Sequence, residues 1–374
     1  MGNELHFAVV VGINCYPGMD RRRQLTTSRD DAENVASWLY DHGKLPDENI
    51  EMVVATDAEE SAFDNKYLRS RPICAEVFTR LQLIHDKVQD LNAKDRQRTR
   101  LYFYAAAHGL MPEGGLGAVI FADSSPSRNY WGSGYLDIEK GRLSYKKHTY
   151  FAEVLLLSDC CREVNKSLQP ASDWPFTARY QTTPRTFVGY ATQPKQRAGA
   201  RLPNRPAERK EAARGFFTAA ILEGLKGAAR HDVNTGILDS SQLTEYVKDR
   251  VPILARDNGY SQAAEIESSG DPIALVSMGS TKDPISMGSQ KCQITAKLPY
   301  SWHGKLTLHK EPPAWTTVDE IAVSSDQVVL YAPPGFYVLA AGGDLSRHET
   351  PELRSQPFVV DPDVTVSVVE LEHC

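Results

Sequence analysis

The sequence is short of net positive charge, of cysteine and of long hydrophobic runs. Its 42 Lys and Arg residues are outnumbered by 48 Asp and Glu residues, which argues against a general nucleic-acid binder, because such proteins show a basic balance. Six cysteines in 374 residues, with no paired spacing typical of a metal site, indicate reduced thiols rather than a disulfide framework. No apolar run approaches the ~20 residues needed to span a bilayer, so we expect no membrane span.

Several functional motifs are also missing. The sequence has no Walker glycine loop, no HExxH and no CxxC pair. The first residues, MGNELHFAVVVG, lack a basic leader followed by an apolar core and a cleavage site, and position six is His6 rather than the Ser or Thr that myristoylation prefers. We therefore expect a cytoplasmic protein without a signal peptide.

An apolar run at residues 153–162, EVLLLSDCCR, ends in an aspartate, two cysteines and an arginine. A short apolar run bounded by polar residues is typical of a buried central strand, which places Asp159, Cys160 and Cys161 at its carboxyl end. Open α/β sheets carry their chemistry at that edge. Side chains alternate along a strand, so Cys160 and Cys161 should face opposite ways and only one can meet a catalytic partner.

A second run of this kind, RLYFYAAAHG at residues 100–109, ends in His108 and Gly109. If the two strands are neighbours, an imidazole and a thiol lie side by side. A thiol with a pKa near ~8.5 is only slightly ionised at neutral pH, and a nearby histidine can take its proton. Cys161 would then attack a carbonyl, His108 would protonate the leaving amine, and the backbone N–H of Gly109 would be an oxyanion donor.

With these residues the sequence resembles the caspase-like clan of cysteine peptidases, and within it the bacterial and metacaspase-like branch. The histidine strand of that family ends in His-Gly, matched by His108-Gly109, and its nucleophile strand ends in Asp-x-Cys, matched by Asp159-Cys160-Cys161. The separation between His108 and Cys161 is close to the ~50 residues by which the histidine precedes the cysteine in caspases.

The resemblance extends from about residue 6 to residue 278. It includes GFFTAAILEGLKG at 215–227 and the Leu-x-x-Tyr-Val pattern within 240–253. The chain departs from the family at residues 105–107, Ala-Ala-Ala where Ser-Gly often stands, and at Arg162-Glu163. These departures leave open a catalytically inactive scaffold or binding protein with the same fold.

The resemblance also implies a substrate pocket. In the metacaspase-like branch, the Asp of Asp-x-Cys and an Asp of the first helix line an acidic pocket for Arg or Lys at P1, the residue before the cleaved bond. The corresponding residues here are Asp159 and Asp31, and two carboxylates favour a guanidinium by charge and by bidentate hydrogen bonding. Arg22, Arg23 and Arg29 crowd the same loop, so aspartate specificity of the animal caspase type stays as an alternative, although the Gln-Ala-Cys element of those enzymes is absent.

Residues 194–214 form a basic stretch that is Pro- and Gly-containing. A charge run is usually a solvated loop. The sharper hypothesis is that an Arg-specific protease, either this one or an upstream activator, cuts an exposed loop of this kind and converts a zymogen. The candidate processing sites are Arg197, Arg201, Arg205 and Arg209, with Arg179 and Arg185 as alternatives.

No cofactor is required by this chemistry, and none is expected. Residues 231–239, HDVNTGILD, faintly resemble a calcium loop, but aligning Gly236 with its sixth position puts His231, Val233 and Thr235 at the first, third and fifth, which fails the ligand requirement. Calcium activation, known for some relatives, stays open through other acidic residues.

Strand-like runs alternate with helical patterns in the first part of the chain. Strands are expected at 6–13, 51–57, 100–109, 153–159 and 185–192, with further strands at 117–122, 135–139 and 146–150, and helices at 29–42, 73–91, 215–226 and 240–253. This order predicts an α/β fold, a caspase-like and largely parallel sheet covered by helices on both faces.

The carboxyl-terminal part has a different composition. Residues 279–290 read as a linker, and residues 291–374 hold only short strand-like runs, which predicts a small all-β, sandwich-like regulatory or binding domain after a peptidase domain at 1–278. We expect a monomeric cysteine endopeptidase with a Cys-His dyad that cleaves proteins or peptides after Arg, or after Lys. The family resemblance favours a signalling, stress or antiviral defence pathway with an upstream protease or regulatory protein, and no nucleic acid or membrane partner.

Overall fold

The structure, a computed structural model, describes residues 3–54, 71–112, 115–125, 134–147, 149–166, 174, 183–201, 214–229, 231–232, 235–277 and the strand segments 292–297, 304–310, 316–323, 327–332, 335–341, 353–355, 358–360 and 366–373. These residues form two compact units. One lies within Met1–Leu222 and Leu238–Val276, and the other within Glu223–Ile237 and Ser277–Cys374.

The strands up to residue 277 are β1 (His6–Gly12), β2 (Ile50–Val54), β3 (Arg100–Ala106), β4 (Gly109–Pro112), β5 (Ala118–Ile120), β6 (Tyr135–Asp137), β7 (Glu153–Asp159), β8 (Glu163–Asn165), β9 (Arg185–Tyr190), β10 (Ala200–Arg201), β11 (Arg214–Gly215), β12 (Ile237–Asp239), β13 (Glu265–Ser269) and β14 (Ala274–Ser277). The helices are α1 (Ser28–Asp41), α2 (Cys74–Gln89), α3 (Ala93–Arg96), α4 (Ile138–Lys147), α5 (Phe216–Glu223) and α6 (Ser240–Asp257), with a π-helical turn at Gly224–Ala228 and 3-10 turns at Arg21–Arg23 and Asp47–Asn49.

Six strands form the central sheet of the first unit, in the order β13-β9-β7-β3-β1-β2. The strands from β9 to β2 run parallel, and β13 is antiparallel to β9 at one edge. Every residue of β3 and β7 is buried, as expected for central strands of a parallel sheet. The predicted largely parallel sheet flanked by helices is confirmed.

Helices cover both faces of this sheet. Apolar residues of α2, including Val77 and Leu81, pack in one core with Val9 and Val11 of β1. The opposite face of β1 approaches α1 so closely that a Cβ on Gly12 would lie 2.7 Å from the Cβ of Ala32. Because side chains alternate along a strand, one strand serves both layers.

The segment between β3 and β7 differs from the expectation. The strand predicted at 135–139 is shorter than expected, because β6 ends at Asp137. The strand predicted at 146–150 was wrong, because α4 occupies Ile138–Lys147. The Asp137 Oδ1 atom accepts a hydrogen bond from the backbone N–H of Lys140 at 3.0 Å, which caps this helix. The short strands here form a second sheet in the order β6-β5-β4-β8.

The second unit contains the strands β15 (Cys292–Lys297), β16 (Gly304–Lys310), β17 (Thr316–Val323), β18 (Gln327–Ala332), β19 (Gly335–Ala341), β20 (Leu353–Ser355), β21 (Phe358–Val360) and β22 (Val366–His373). Their order is β17-β16-β19-β20-β22-β15-β18, and β21 pairs with β19. Alternate residues such as Leu306 and Leu308 are buried, as in strands with one apolar face. The predicted linker at 279–290 lies outside the described residues, and the domain boundaries stay a prediction.

No helix of the described residues is long and apolar enough to span a membrane.

Candidate active site

The carboxyl ends of β3 and β7 lie side by side, with Ala106 opposite Asp159 in the parallel register. His108 follows β3 and Cys161 follows β7, so both enter the space beyond this edge. A cavity of about 810 Å³ opens there. It is lined by all five residues that the sequence assigns to catalysis and substrate binding: His108, Gly109, Cys161, Asp31 and Asp159.

The two adjacent cysteines have different surroundings. Cys160 is 3% exposed, its Sγ atom is 3.7 Å from the carbonyl oxygen of Ala105, and burial raises the pKa of its thiol to about 12. Cys161 is partly exposed on the cavity, and its Sγ atom accepts a hydrogen bond from the backbone N–H of Ala198 at 3.2 Å. Burial also raises the pKa of Cys161, while the Ala198 N–H acts against that rise. Cys161 is therefore the thiol that can meet a substrate, and it is protonated at neutral pH.

The His108 ring is held by groups from the loop after β1. Its Nε2 atom lies 2.5 Å from the carbonyl oxygen of Arg23, and its ring centroid lies 4.6 Å from that of Tyr16. The His108 backbone N–H donates to the Tyr16 hydroxyl, which donates to the carbonyl oxygen of Ile120. A carbonyl oxygen can only accept, so Nε2 carries the proton and Nδ1 is the basic nitrogen. Burial lowers the pKa of His108, so the imidazole is neutral at neutral pH.

The Cys161 thiol and the His108 imidazole line the same cavity. Among the described residues, no hydrogen bond joins the Cys161 Sγ atom to the His108 ring. Two neutral partners of this kind have no strong attraction before a substrate arrives, and catalytic hydrogen bonds often tighten only in the substrate complex.

Gly109 lies against the turn that carries the cysteines. A Cβ at this position would be 2.5 Å from both the Cβ of Cys160 and the carbonyl oxygen of Cys161. Only glycine allows β4 to start this close to the turn. The Gly109 backbone is thereby placed beside Cys161, as an oxyanion donor requires.

Asp31 and Asp159 form the acidic side of the cavity, although α1 and β7 carry them from distant parts of the sequence. The Gly215 N–H donates to Asp31 Oδ2 at 2.9 Å, and the Thr218 N–H and hydroxyl donate to Asp159 Oδ2 at 3.2 and 2.6 Å. A Cβ on Gly215 would be 2.2 Å from Asp159 Oδ2 and 3.2 Å from Asp31 Oδ2, so the two carboxyl groups flank a bare backbone.

Both carboxyl groups resist ionisation. Burial, and after it the charge of Asp159, raises the pKa of Asp31, and burial raises the pKa of Asp159. Within the described part of the chain, the buried Oδ1 atom of Asp31 has no hydrogen-bond partner. A buried carboxylate oxygen without a donor is costly, so this side of the cavity is suited to a ligand that supplies donors and positive charge.

The basic residues of the neighbouring loop separate into two groups. Arg22 and Arg23 line the cavity, whereas Arg29 forms an ion pair with Glu33 at 2.8 Å. Of the candidate processing sites, Arg197 has a side chain that is 77% exposed and pairs with Glu163 at 2.7 Å, and Arg201 lies in β10. Arg205 and Arg209 lie outside the described residues.

Arg162 is a residue whose role the sequence did not reveal. Its side chain is 1% exposed, its guanidinium donates to the carbonyl oxygens of Leu116 and Thr192 and to the carboxylate of Glu265, and it lies 4.3 Å over the Tyr190 ring. Its backbone also exchanges hydrogen bonds with residues 195 and 196, just before the segment that contacts the Cys161 thiol. Arg162 thus anchors the turn that carries Cys160 and Cys161. Its partners lie far away in sequence, and no local pattern points to them.

Within the described residues, no group of three or more His, Cys, Asp or Glu side chains is arranged to hold a metal ion.

Comparison with known proteins gave one family match. The model of the caspase domain family matches residues 5–271. Similar solved structures include a protein from Geobacter sulfurreducens (TM-score 0.41, 14% identity, 74% of this chain and 97% of that chain) and caspase-1 from Spodoptera frugiperda (TM-score 0.41, 12% identity, 74% of this chain and 92% of that chain). No curated protein matches the chain.

Proposed function

This chain belongs to the caspase domain family of cysteine peptidases, and from that premise we propose that it is an active endopeptidase that cleaves after Arg, and less readily after Lys. One observation carries the proposal: a single cavity holds a partly exposed thiol, an imidazole and two buried carboxyl groups. The family implies protein or peptide substrates.

The first step is the transfer of a proton from the Cys161 thiol to Nδ1 of His108. The resulting thiolate attacks the scissile carbonyl carbon, and the backbone N–H groups of Gly109 and Cys161 stabilise the oxyanion. His108 then donates its proton to the leaving amine. A water molecule, activated by the same imidazole, hydrolyses the thioester. Because burial favours the neutral forms of both groups, His108 acts as a general base during the attack rather than as the partner of a standing thiolate.

Specificity for Arg follows from the acidic side of the cavity. A guanidinium supplies donors to the unpartnered Oδ1 of Asp31 and positive charge to both carboxyl groups. Its planar fork can bind carboxylates in a bidentate manner, whereas the Lys ammonium is a point charge, so Arg should be preferred. An Asp at P1 would add a third carboxyl group to this side of the cavity, where burial already disfavours ionisation of Asp31 and Asp159, and it would supply no positive charge.

The domain boundaries, processing, oligomeric state and cellular pathway are proposed from the sequence resemblance. Residues 1–278 form the peptidase domain, and residues 291–374 form a binding or regulatory domain. The exposed Arg197 supports processing in the 194–214 stretch, by this protein or by an upstream protease. We propose that the protein is monomeric and cytoplasmic and that it acts in a stress or defence pathway.

Hydrolysis of matched fluorogenic peptides tests the proposal. The peptides differ only in having Arg, Lys, Asp or Ala at P1, and are assayed with and without calcium. We expect cleavage after Arg that is abolished in Cys161→Ala and kept in Cys160→Ala, the adjacent buried thiol. Cleavage after Asp would refute the role of Asp31 and Asp159, and a thiol at Cys161 that reacts with iodoacetamide no faster than Cys160 would favour an inactive scaffold.

A further inference from the structure

The same cavity carries unbalanced positive charge beside His108. We propose that this side is a subsite for an acidic residue at the first or second position after the cleaved bond (P1′ or P2′), so that the preferred substrate has Asp or Glu within two residues after Arg. The inference rests on the proposed function, because the roles of His108 and Cys161 determine which side of the cavity holds the part of the substrate after the cleaved bond.

The leaving group fixes which side of the cavity is meant. The general acid must reach the leaving nitrogen, so the part of the substrate after the cleaved bond passes along the imidazole side of Cys161. Arg23, whose carbonyl oxygen accepts the Nε2–H of His108, belongs to that side. Burial, and with it the charge of Arg23, lowers the pKa of His108, whereas the cation that acts on the pKa of Asp31 is Arg214. Arg23 is therefore assigned to the leaving-group side, and with it Arg22, the preceding residue of the same turn, which also lines the cavity.

The positive charge on this side lacks a counterion. Arg22 and Arg23 are exposed side chains that line the cavity, and within the described ranges neither forms an ion pair. The negative charge of Glu163 is close enough to contribute to the pKa values of both Cys161 and His108. Glu163 forms an ion pair with Arg197. Its charge is therefore already compensated, and a carboxylate from a substrate would meet two uncompensated guanidinium groups.

The turn that presents these groups is fixed in place. The Gln24 side chain accepts from the backbone N–H of Tyr16 at 2.6 Å and donates to the carbonyl oxygens of Tyr16 and Met19 at 3.0 and 3.2 Å. Leu25 continues this closure with a backbone hydrogen bond to Asn14. A fixed turn loses little conformational freedom on binding, which favours recognition over random surface charge.

The exposure of the Arg22 and Arg23 side chains sets the expected size of the preference for an acidic residue. Pairs between exposed charges are worth a few-fold in affinity each, so two arginines should give about a threefold to tenfold preference for an acidic residue. Salt screens exposed pairs strongly and buried pairs much less. The acidic preference should therefore shrink at high ionic strength, while the preference for Arg at P1 should persist.

The test measures binding to the full-length Cys161→Ala variant, which does not depend on turnover. Fluorescently labelled, end-capped peptides carry Arg or Ala at P1 and Glu, Ala or Lys at P1′ and P2′, and fluorescence anisotropy gives each Kd at low and at high ionic strength. With Arg at P1, we expect Glu peptides to bind about threefold to tenfold more tightly than Ala peptides at low ionic strength, and Lys peptides to bind least.

The chain offers a matched control. Combining Arg22→Gln with Arg23→Gln should remove the Glu-over-Ala ratio, whereas Arg21→Gln, the same charge change in the same 3-10 turn but outside the cavity lining, should keep it. Equal Kd values for Glu and Ala peptides, or an equal loss of the ratio in Arg21→Gln, would overturn the subsite. A Glu preference that persists while Arg and Ala at P1 bind equally would support the subsite and refute the Arg pocket, so the two failures are distinguishable. Lack of binding by every peptide would contradict both.

Discussion

The Nε2 atom of His108 lies 2.5 Å from the carbonyl oxygen of Arg23. This contact determines the tautomer of the imidazole, because the carbonyl can only accept, and it leaves Nδ1 to take a proton. It also draws the loop after β1 into the site, so a main-chain atom orients the proposed general base.

The pH dependence of Cys161 alkylation should show a pKa above that of a free cysteine. Burial keeps the thiol protonated, so the rate of reaction with iodoacetamide should keep rising with pH beyond the ~8.5 of a free cysteine. Mass spectrometry of the modified peptide separates Cys161 from Cys160, which should react more slowly at every pH because its thiol is more deeply buried and has the pKa of about 12. A rate that is already at its plateau below pH ~6 would show a standing thiolate–imidazolium pair instead.

Replacing Asp31 should weaken recognition of Arg substrates and stabilise the folded protein above the usual carboxyl pH range. Loss of one buried charged partner costs about 2–5 kcal/mol, so kcat/KM for Arg peptides should fall on the order of 30-fold to 5000-fold in Asp31→Asn. The native state holds the Asp31 proton more tightly than the unfolded state does, so its stability falls as pH rises from the usual carboxyl range through the raised pKa. Asparagine removes this penalty, and the variant should unfold at a higher temperature than wild type above that range.

Asp30→Asn is the matched control, since Asp30 is the preceding residue of α1 and does not line the cavity. It should change neither kcat/KM for Arg peptides nor the pH dependence of the unfolding temperature in the way that Asp31→Asn does. Equal effects of the two variants would contradict the role assigned to Asp31.

The Arg peptide itself should respond to pH. Protonation of Asp31 and Asp159 neutralises the acidic side of the cavity, and their raised pKa values place this change above the usual carboxyl range. The preference for Arg over citrulline, its uncharged analogue, should therefore fall as pH falls. Parallel pH profiles for kcat/KM of the two peptides would show that the charges of Asp31 and Asp159 do not contribute to recognition of the P1 side chain.

Arg162 should be essential for the stability of the turn that carries Cys160 and Cys161. Breaking a buried pair typically costs about 3–5 kcal/mol, and Arg162→Met also removes the donors to the carbonyl oxygens of Leu116 and Thr192. Urea denaturation should show a large loss in Arg162→Met and a smaller loss in Arg162→Met combined with Glu265→Gln, because the second change removes the unpaired carboxylate. Additive losses would mean that the two side chains are not coupled.

Much of the site follows from the sequence alone. Apolar runs of strand length determined β3 and β7, and their abrupt polar ends placed His108 and Cys161 at one edge of a parallel sheet, where the structure also has them. Helix α4 was missed, because its apolar residues are few and its start depends on a cap by Asp137 rather than on a long periodic pattern.

Other features were decided only by tertiary structure. The meeting of Asp31 with Asp159 depends on the backbone of Gly215, and the burial of Arg162 depends on Glu265, a partner about a hundred residues away. Local periodicity reports whether a segment is helical or extended and which face is apolar. It does not report which distant side chain will compensate a buried charge, because that is decided when the packed segments bring their polar groups together.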